Sequence, residues 1–207
     1  ENIDLPLIKK VVKTGKPMIM STGMMSISEL GEAVKTIRDE GGEQFVLLKC
    51  TSSYPSTPEN SNVLTIPHMR ELIGCEIGLS DHTMGLGAAV AAVSHGATVI
   101  EKHFTLNRAD GGVDSAFSME PEEMKALVIE TKRAWQSLGK VKYGPSKEDE
   151  SSLVYRRSLY ISKDMKKGDI FTKNNIRIIR PGLGLSPKYH AIFLDRPVSK
   201  DVKKGTP

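Results

Sequence analysis

Strand-like and helix-like segments alternate along residues 1–139, and this alternation restricts the folds open to the chain. Strands are predicted at residues 17–22, 44–51, 76–82 and 98–105, and helices at residues 3–14, 26–41, 67–74, 86–96 and 120–139. Repeated βα units predict parallel strands joined by right-handed crossovers. The choice therefore lies between a doubly wound sheet and a (β/α)8 barrel.

The predicted units amount to about half of such a barrel, because a barrel needs eight strands. A half barrel leaves an unpaired strand edge on each side. The first residue is Glu1 rather than Met, and the opening helix has no strand before it. We therefore expect on the order of 100 residues or more to be missing upstream. A complete four-stranded α/β domain is the alternative, and composition alone does not exclude it.

The pattern changes after residue 139. Residues 140–154 are polar and turn-rich, which predicts a linker. Short strands are predicted at residues 157–162 and 176–180 and around Val198. The stretch SKDMKKG at residues 162–168 recurs as SKDVKKG at residues 199–205, which indicates two similar strand-turn units. We expect a small β domain over residues 155–207, after the half barrel of residues 1–139.

Composition excludes several classes of protein. The chain is 39% hydrophobic and 26% charged, as is typical of soluble domains. No apolar run approaches the roughly 20 residues of a membrane span, and the opening ENID is not a signal segment. Cys50 and Cys75 lie in apolar sequence, which suits reduced thiols better than a disulfide. We expect a cytoplasmic protein without a membrane partner.

The net charge of +4 is unevenly distributed, with an acidic first part and a basic C-terminal third. A basic tail can indicate nucleic-acid binding. Here the basic residues are interleaved with strand and turn residues, and an aromatic content of 5% offers few stacking surfaces. We expect no nucleic-acid partner.

Two histidines stand at the ends of neighbouring predicted strands. Strand alternation places Ser80 with His82 on one face and Glu101 with His103 on one face of the next strand. In a barrel these side chains would point inward at the catalytic rim. Two imidazoles at one level suit a divalent metal with open positions. The alternative is a pair of hydrogen-bonded core or rim histidines.

Polar loops follow three of the predicted strands, at residues 21–23, 51–55 and 106–118. Their hydroxyls and glycine amides suit a phosphorylated or polyhydroxylated ligand. Ordinary turn and capping chemistry explains any one of them. Their joint position at one rim favours a ligand site.

Several of these stretches are similar to the sialic acid synthase family. The stretches are KPMIMSTGM at residues 16–24, CTSSYP at 50–55, GLSDHT at 78–83 and IEKHFT at 100–105. RADGGVDSAFS at residues 108–118 and RRSLY at 156–160 resemble its pseudaminic acid synthase branch most. The resemblance runs over essentially the whole chain, in order.

The resemblance implies the second half of a (β/α)8 barrel followed by an antifreeze-like SAF domain with a β-clip fold. It implies condensation of phosphoenolpyruvate with an acetamido hexose, a 2,4-diacetamido-2,4,6-trideoxy hexose in the pseudaminic branch. Alternatives within the family are N-acetylneuraminate, legionaminate and spore-coat polysaccharide synthases. An alternative of another class is a non-catalytic carbohydrate-binding or antifreeze-like module.

The resemblance also implies roles for individual residues. His82 and His103 would bind Mn²⁺ or Mg²⁺, and Ser52, Tyr54 and Ser80 would contact phosphoenolpyruvate. Asp114 would hold sugar hydroxyls. The family's general acid/base precedes Glu1, so this chain is not expected to complete the reaction by itself.

The small domain has its own implied role. In the family it reaches the partner's site in a domain-swapped homodimer, where Arg180 would contact the acylated sugar. One position departs from the family pattern, because Asp195 stands where glycine is expected.

Overall fold

The computed structural model describes residues 2–207, and the chain divides into two compact units, residues 1–140 and 141–207. The first unit contains four strands and five α-helices in alternation. They are α1 (Leu5–Val12), β1 (Met18–Ser21), α2 (Ile27–Asp39), β2 (Phe45–Cys50), α3 (Thr65–Ile73), β3 (Glu76–Asp81), α4 (Gly87–Ser94), β4 (Ile100–Lys102) and α5 (Pro121–Leu138). Short 3₁₀ helices occur at Pro58–Asn60, Arg108–Asp110 and Ser115–Phe117.

All four strands are parallel, and their order in the sheet is β1-β2-β3-β4. A doubly wound sheet reverses direction at a switch point, whereas a barrel adds its strands in sequence. The sequential order therefore confirms the predicted partial (β/α)8 barrel. It also places the carboxyl ends of the strands at one rim.

Apolar side chains fill the space between the sheet and the helices. Leu47 and Ile77 from the sheet and Ile37 and Ile66 from the helices are all fully shielded from solvent. A capping box starts α2: Ser26 accepts from the Glu29 N–H, and Glu29 accepts from the Ser26 N–H. The local hydrogen bonds of α2 and the packing of the core favour the same structure, and together they hold the strands whose carboxyl ends form the rim.

The fourth strand is shorter than the sequence predicts, since β4 ends at Lys102 rather than near residue 105. Beyond it the backbone pairs with the segment that leads into α5. The Met119 N–H donates to the His103 oxygen at 2.8 Å, and the Thr105 N–H donates to the Met119 oxygen at 2.9 Å. His103 therefore lies just beyond β4, and its backbone is held by Met119 instead of by a strand of the sheet.

The second unit is small and contains an antiparallel pair, β5 (Ser158–Ile161) and β6 (Ile176–Ile179), and the short helix α6 (His190–Phe193). A 3₁₀ helix at Glu150–Tyr155 overlaps the end of the predicted linker. The strand predicted around Val198 is not formed. That segment makes isolated bridges instead, Ile170 with Pro197 and Met165 with Val202.

The internal repeat is confirmed as two segments that bind each other reciprocally. Asp164 accepts from the Lys203 ammonium at 2.9 Å, and Asp201 accepts from the Lys166 ammonium at 2.7 Å. Each carboxylate also accepts a backbone N–H from the opposite copy. The two copies are therefore related by a local twofold arrangement.

Asp195, the residue found in place of the expected glycine, adopts φ of 63°. This is the left-handed region that glycine favours and that Asp tolerates better than most residues. The turn is thus kept despite the substitution. Cys50 and Cys75 are both free thiols. In residues 2–207, every helix is too short or too polar to cross a membrane.

Candidate active site

The two predicted histidines meet at the carboxyl ends of β3 and β4. The ring centroids of His82 and His103 are 5.1 Å apart, and the rings lie nearly edge to face. His82 is 7% exposed, and His103 is partly exposed. Strand alternation had aligned these residues, and the structure brings them together.

A hydrogen bond to a backbone carbonyl fixes the tautomer of His82. Its Nδ1 lies 2.8 Å from the carbonyl oxygen of Thr51. A carbonyl only accepts, so Nδ1 carries a proton, and in this tautomer the lone pair of the ring is on Nε2. Thr51 is itself held, because its hydroxyl donates to the Asn60 oxygen and accepts from the Lys49 ammonium. Burial lowers the pKa of Lys49.

Asp114 lies beside His103 in the loop between β4 and α5. The Asp114 Oδ2 is 3.7 Å from the His103 Nδ1, which is too long for a hydrogen bond. The Asp114 backbone is left-handed, with φ of 65°. Both the N–H and the hydroxyl of Ser118 donate to its carbonyl oxygen. The carboxylate is thus placed near the histidines and left open to a ligand.

Arg108 holds the same loop against the start of α5. Its Nε donates to the Ser118 oxygen at 2.9 Å, and its guanidinium pairs with Glu123. The Glu120 backbone N–H, and then Arg108, hold the pKa of the Glu123 carboxyl below its ordinary value. The loop that carries Asp114 therefore has a fixed, charged anchor.

Tyr54 covers the two imidazoles. Its ring centroid is 4.2 Å from that of His82 and 5.8 Å from that of His103. The Phe117 ring centroid is 5.0 Å from that of His103 and 6.2 Å from that of Tyr54. Tyr54 is 53% exposed, so its hydroxyl-bearing ring is available to a ligand. The aromatic rings shield part of the histidine pair from water.

The two predicted serines lie at different depths. Ser80 is 4% exposed and lies opposite Glu101 in the sheet. Ser52 lies over Gly23, where an added Cβ would stand 2.3 Å from the serine hydroxyl. A larger residue at position 23 would therefore displace the Ser52 hydroxyl. Ser52 and Tyr54 also line a cavity of about 440 Å³ together with Ser21.

Arg180 lies in the second unit, directly after β6, and its side chain is exposed. The structure therefore gathers Tyr54, His82, His103 and Asp114 in the first unit and presents Arg180 on the surface of the second. The contribution of Phe117 was not predicted. It lies in the short 3₁₀ helix Ser115–Phe117, which is too short for a periodic pattern to show which of its side chains face the histidines.

The donor chemistry fits a divalent ion held by two imidazoles with its other positions open. Within residues 2–207, no group of three or more His, Cys, Asp and Glu side chains is arranged to hold a metal. The free Nε2 of His82 supports this fit, since a ligating imidazole commonly donates its other N–H to a carbonyl.

Comparisons with known proteins agree with this geometry. Residues 1–143 match the model of the NeuB family, and residues 156–207 match that of the SAF domain. Pseudaminic acid synthases from Campylobacter jejuni and Helicobacter pylori are each 40% identical, over 98% and 100% of this chain. An N,N'-diacetyllegionaminic acid synthase from Campylobacter jejuni is 35% identical over 99% of the chain. The chain spans 59%, 61% and 62% of these three relatives, respectively.

Two solved structures share the fold. An N-acetylneuraminic acid synthetase from Leptospira borgpetersenii matches with a TM-score of 0.68 and 34% identity, over 75% of this chain and 54% of that one. A spore coat polysaccharide biosynthesis protein from Bacillus subtilis matches with a TM-score of 0.64 and 32% identity, over 100% of this chain and 63% of that one.

Proposed function

We propose, because this chain belongs to the NeuB family and carries a SAF domain, that it provides half the barrel and the small domain of a synthase forming pseudaminic acid. The substrates would be phosphoenolpyruvate and a 2,4-diacetamido-2,4,6-trideoxy hexose. The observation that carries the proposal is the His82–His103 pair beneath Tyr54, with Asp114 beside it. The choice of sugar is supported by the 40% identity to two pseudaminic acid synthases.

The condensation joins C3 of phosphoenolpyruvate to the aldehyde carbon of the sugar. The aldehyde oxygen takes up a proton, one water enters at C2, and phosphate leaves. The product is a nine-carbon 2-keto acid. The general acid/base lies outside the residues assigned here, in the other half of the barrel.

The metal role falls to His82, through Nε2, and to a ring nitrogen of His103. A bound Mn²⁺ or Mg²⁺ supplies Lewis-acid polarisation of the aldehyde oxygen. Tyr54 and Phe117 limit the access of water to this pair, which strengthens charge interactions at the reacting centre.

Substrate binding is assigned to the polar groups of the same rim. The hydroxyls of Ser52, Tyr54 and Ser80 would donate to phosphate or carboxylate oxygens of phosphoenolpyruvate. The Asp114 carboxylate would accept from sugar hydroxyls.

The second unit would act in a domain-swapped homodimer. Arg180 would bring a planar fork of N–H donors to an acyl carbonyl of the sugar in the partner's site. The exposed position of this guanidinium leaves it free for such a contact. The free thiols of Cys50 and Cys75 suit a reducing compartment, and we place the reaction in the cytoplasm.

The test is an assay for the nine-carbon product with a panel of acetamido sugars. The protein is a chimera in which the part of the Campylobacter jejuni pseudaminic acid synthase preceding the matched region is joined to this chain. The chain alone serves as the control. We expect product from the 2,4-diacetamido-2,4,6-trideoxy hexose of the pseudaminic branch, with Mn²⁺ required.

Each other result has a defined meaning. Turnover of only the legionaminate precursor or N-acetylmannosamine would assign a different product within the family. Sugar binding without turnover or Mn²⁺ dependence in a folded chimera would favour the non-catalytic module. Full activity of the chain alone would contradict the need for the other half of the barrel.

A further inference from the structure

A buried ion pair lies next to the histidine pair in sequence, on the two strands that carry it. Asp81 precedes His82, and Lys102 precedes His103. The two charged residues are direct partners in the register of β3 and β4. The Lys102 Nζ lies 2.7 Å from the Asp81 Oδ2, and the side chains are 3% and 1% exposed, respectively.

Both charged groups also bind the backbone of Thr83. The Thr83 N–H donates to the Asp81 Oδ1 at 2.9 Å, and the Lys102 ammonium donates to the Thr83 carbonyl oxygen. Because His82 lies between Asp81 and Thr83, the chain is fixed on both sides of this histidine. Lys102 itself directly precedes His103, so the contacts among Asp81, Lys102 and Thr83 hold the ends of both strands.

The pair faces away from the site. Successive side chains of a strand point to opposite faces, so Asp81 and Lys102 share the face of Leu79 and Ile100 rather than that of Ser80 and Glu101. Ile100, two residues before Lys102, packs against the core on the helix side of the sheet. The ion pair therefore does not touch a substrate in the barrel, and any effect on the site must pass through the backbone.

Stability alone is a poor reason for such a pair. Taking two charges out of water is costly, and a well-packed apolar pair at the same place is often as stable or more so. An ion pair satisfied by backbone groups on both sides fits only one register and one strand spacing, whereas apolar side chains tolerate small slips. The arrangement suits a device that sets geometry.

We propose that Asp81 and Lys102 are positioning residues that set the spacing and orientation of His82 and His103. The clamp on Thr83 holds the His82 backbone so that its Nδ1 meets the Thr51 oxygen and its Nε2 stays free. The consequence for Mn²⁺ affinity rests on the proposed function, but the consequence for the His82 ring does not.

The test variant is Asp81→Leu/Lys102→Met, made in the full chain. It removes both charges and keeps apolar side chains of similar length, which avoids a lone buried charge. The first readout is the tautomer of His82 from nitrogen-15 shifts of the imidazoles, which are resolvable with five histidines in the chain. The second readout is the Kd for Mn²⁺, measured by calorimetry.

We expect the variant to melt cooperatively, to lose the single Nδ1-protonated form of His82, and to bind Mn²⁺ about 10-fold or more weakly, as for other supporting residues of metal sites. The matched control is Leu79→Met/Ile100→Leu, the register partners one step earlier on the same face. It should lower the melting temperature and leave both readouts unchanged, which separates positioning from stability.

The proposal is overturned if the folded double variant keeps the wild-type tautomer. If the double variant does not fold, the same readouts are taken on Asp81→Glu. This variant keeps the negative charge, but its extra methylene shifts the carboxylate so that it no longer contacts both Lys102 and Thr83. A wild-type His82 ring in folded Asp81→Glu would then overturn it. Absence of Mn²⁺ binding by the wild-type chain would contradict the proposed metal role, while the tautomer readout still tests the positioning role.

Discussion

The Nδ1 of His82 donates to the carbonyl oxygen of Thr51 across the sheet at 2.8 Å. This contact joins the end of β3 to the end of β2 and selects the tautomer that a metal ligand needs. Thr51 is fixed in turn by Lys49 and by the Asn60 carbonyl. The candidate site is therefore built from residues that directly follow three consecutive strands: Thr51 after β2, His82 after β3 and His103 after β4.

Tyr54 has two proposed roles, a hydrogen bond to phosphoenolpyruvate and a cover over the histidines, and two substitutions separate them. Tyr54→Phe keeps the cover over His82 and should raise the KM for phosphoenolpyruvate about 2–10-fold in the chimera, the usual worth of one hydrogen bond. Tyr54→Ala should also lower kcat, because water then reaches the histidines. Steady-state kinetics distinguish the two variants. Equal effects on kcat would argue against the covering role.

Asp114 tests the sugar-binding assignment. Asp114→Asn keeps a residue that tolerates the left-handed backbone, so the loop should persist. The KM for the sugar should rise roughly 10–150-fold, and that for phosphoenolpyruvate should stay the same, since hydrogen bonds to charged groups are worth about 1.5–3 kcal/mol. Asp110→Asn, in the same loop, is the control. Parallel changes in both KM values would remove Asp114 from the sugar site.

The reciprocal repeat of the small unit predicts acid sensitivity. The Lys204 N–H, and then Lys203, lower the pKa of Asp164; Lys166, and then the Lys167 N–H, lower the pKa of Asp201. A carboxyl with a lowered folded pKa stabilises the fold above its unfolded pKa, and the stabilisation is lost as pH falls through the folded pKa. The melting temperature should therefore decrease as the pH is lowered below about 4.

Asp164→Asn and Asp201→Asn should each reduce this acid dependence by a similar, small amount, because both pairs are exposed. Calorimetry of the full chain from pH 7 to pH 2.5 measures it, with Asp110→Asn as the control. Wild-type pH profiles for both variants would show that the repeat does not contribute electrostatically.

Arg180 is expected to act in the partner's site. Arg180→Ala in the chimera should raise the KM of the sugar and leave phosphoenolpyruvate binding largely intact, and Arg177→Ala on β6 is the control. Mixing Arg180→Ala with His103→Ala should restore some activity, because one site of the heterodimer then has both groups. No recovery after confirmed subunit exchange would place Arg180 outside the partner's site.

Much of the first unit follows from local pattern. The alternation of strand-like and helix-like segments predicts β1 to β3 and the helices around them, because local preference and burial agree there. Strand parity also aligns His82 with His103. The end of β4 was not predictable in the same way, since His103 and Thr105 pair with Met119, a contact that no local preference specifies.

The limits of prediction at the site have the same origin. The Asp81–Lys102 pair requires the register between two strands that are about 20 residues apart in sequence, and the Thr51 contact requires the path of a loop. The segment around Val198 has the local pattern of a strand, but it makes isolated bridges with Ile170 and Met165, which are distant contacts that the local pattern does not specify. The repeat, by contrast, was visible because its two copies are nearly identical.

The most direct test of the metal site is the binding of Mn²⁺ to the full chain, measured by calorimetry or electron paramagnetic resonance. We expect one ion per chain, and we expect His82→Ala and His103→Ala each to weaken binding at least 10-fold, because each removes one of two imidazole ligands. His95→Ala, at the end of α4, should bind like the wild type. Wild-type affinity in both site variants would contradict the assignment of His82 and His103 as the metal ligands.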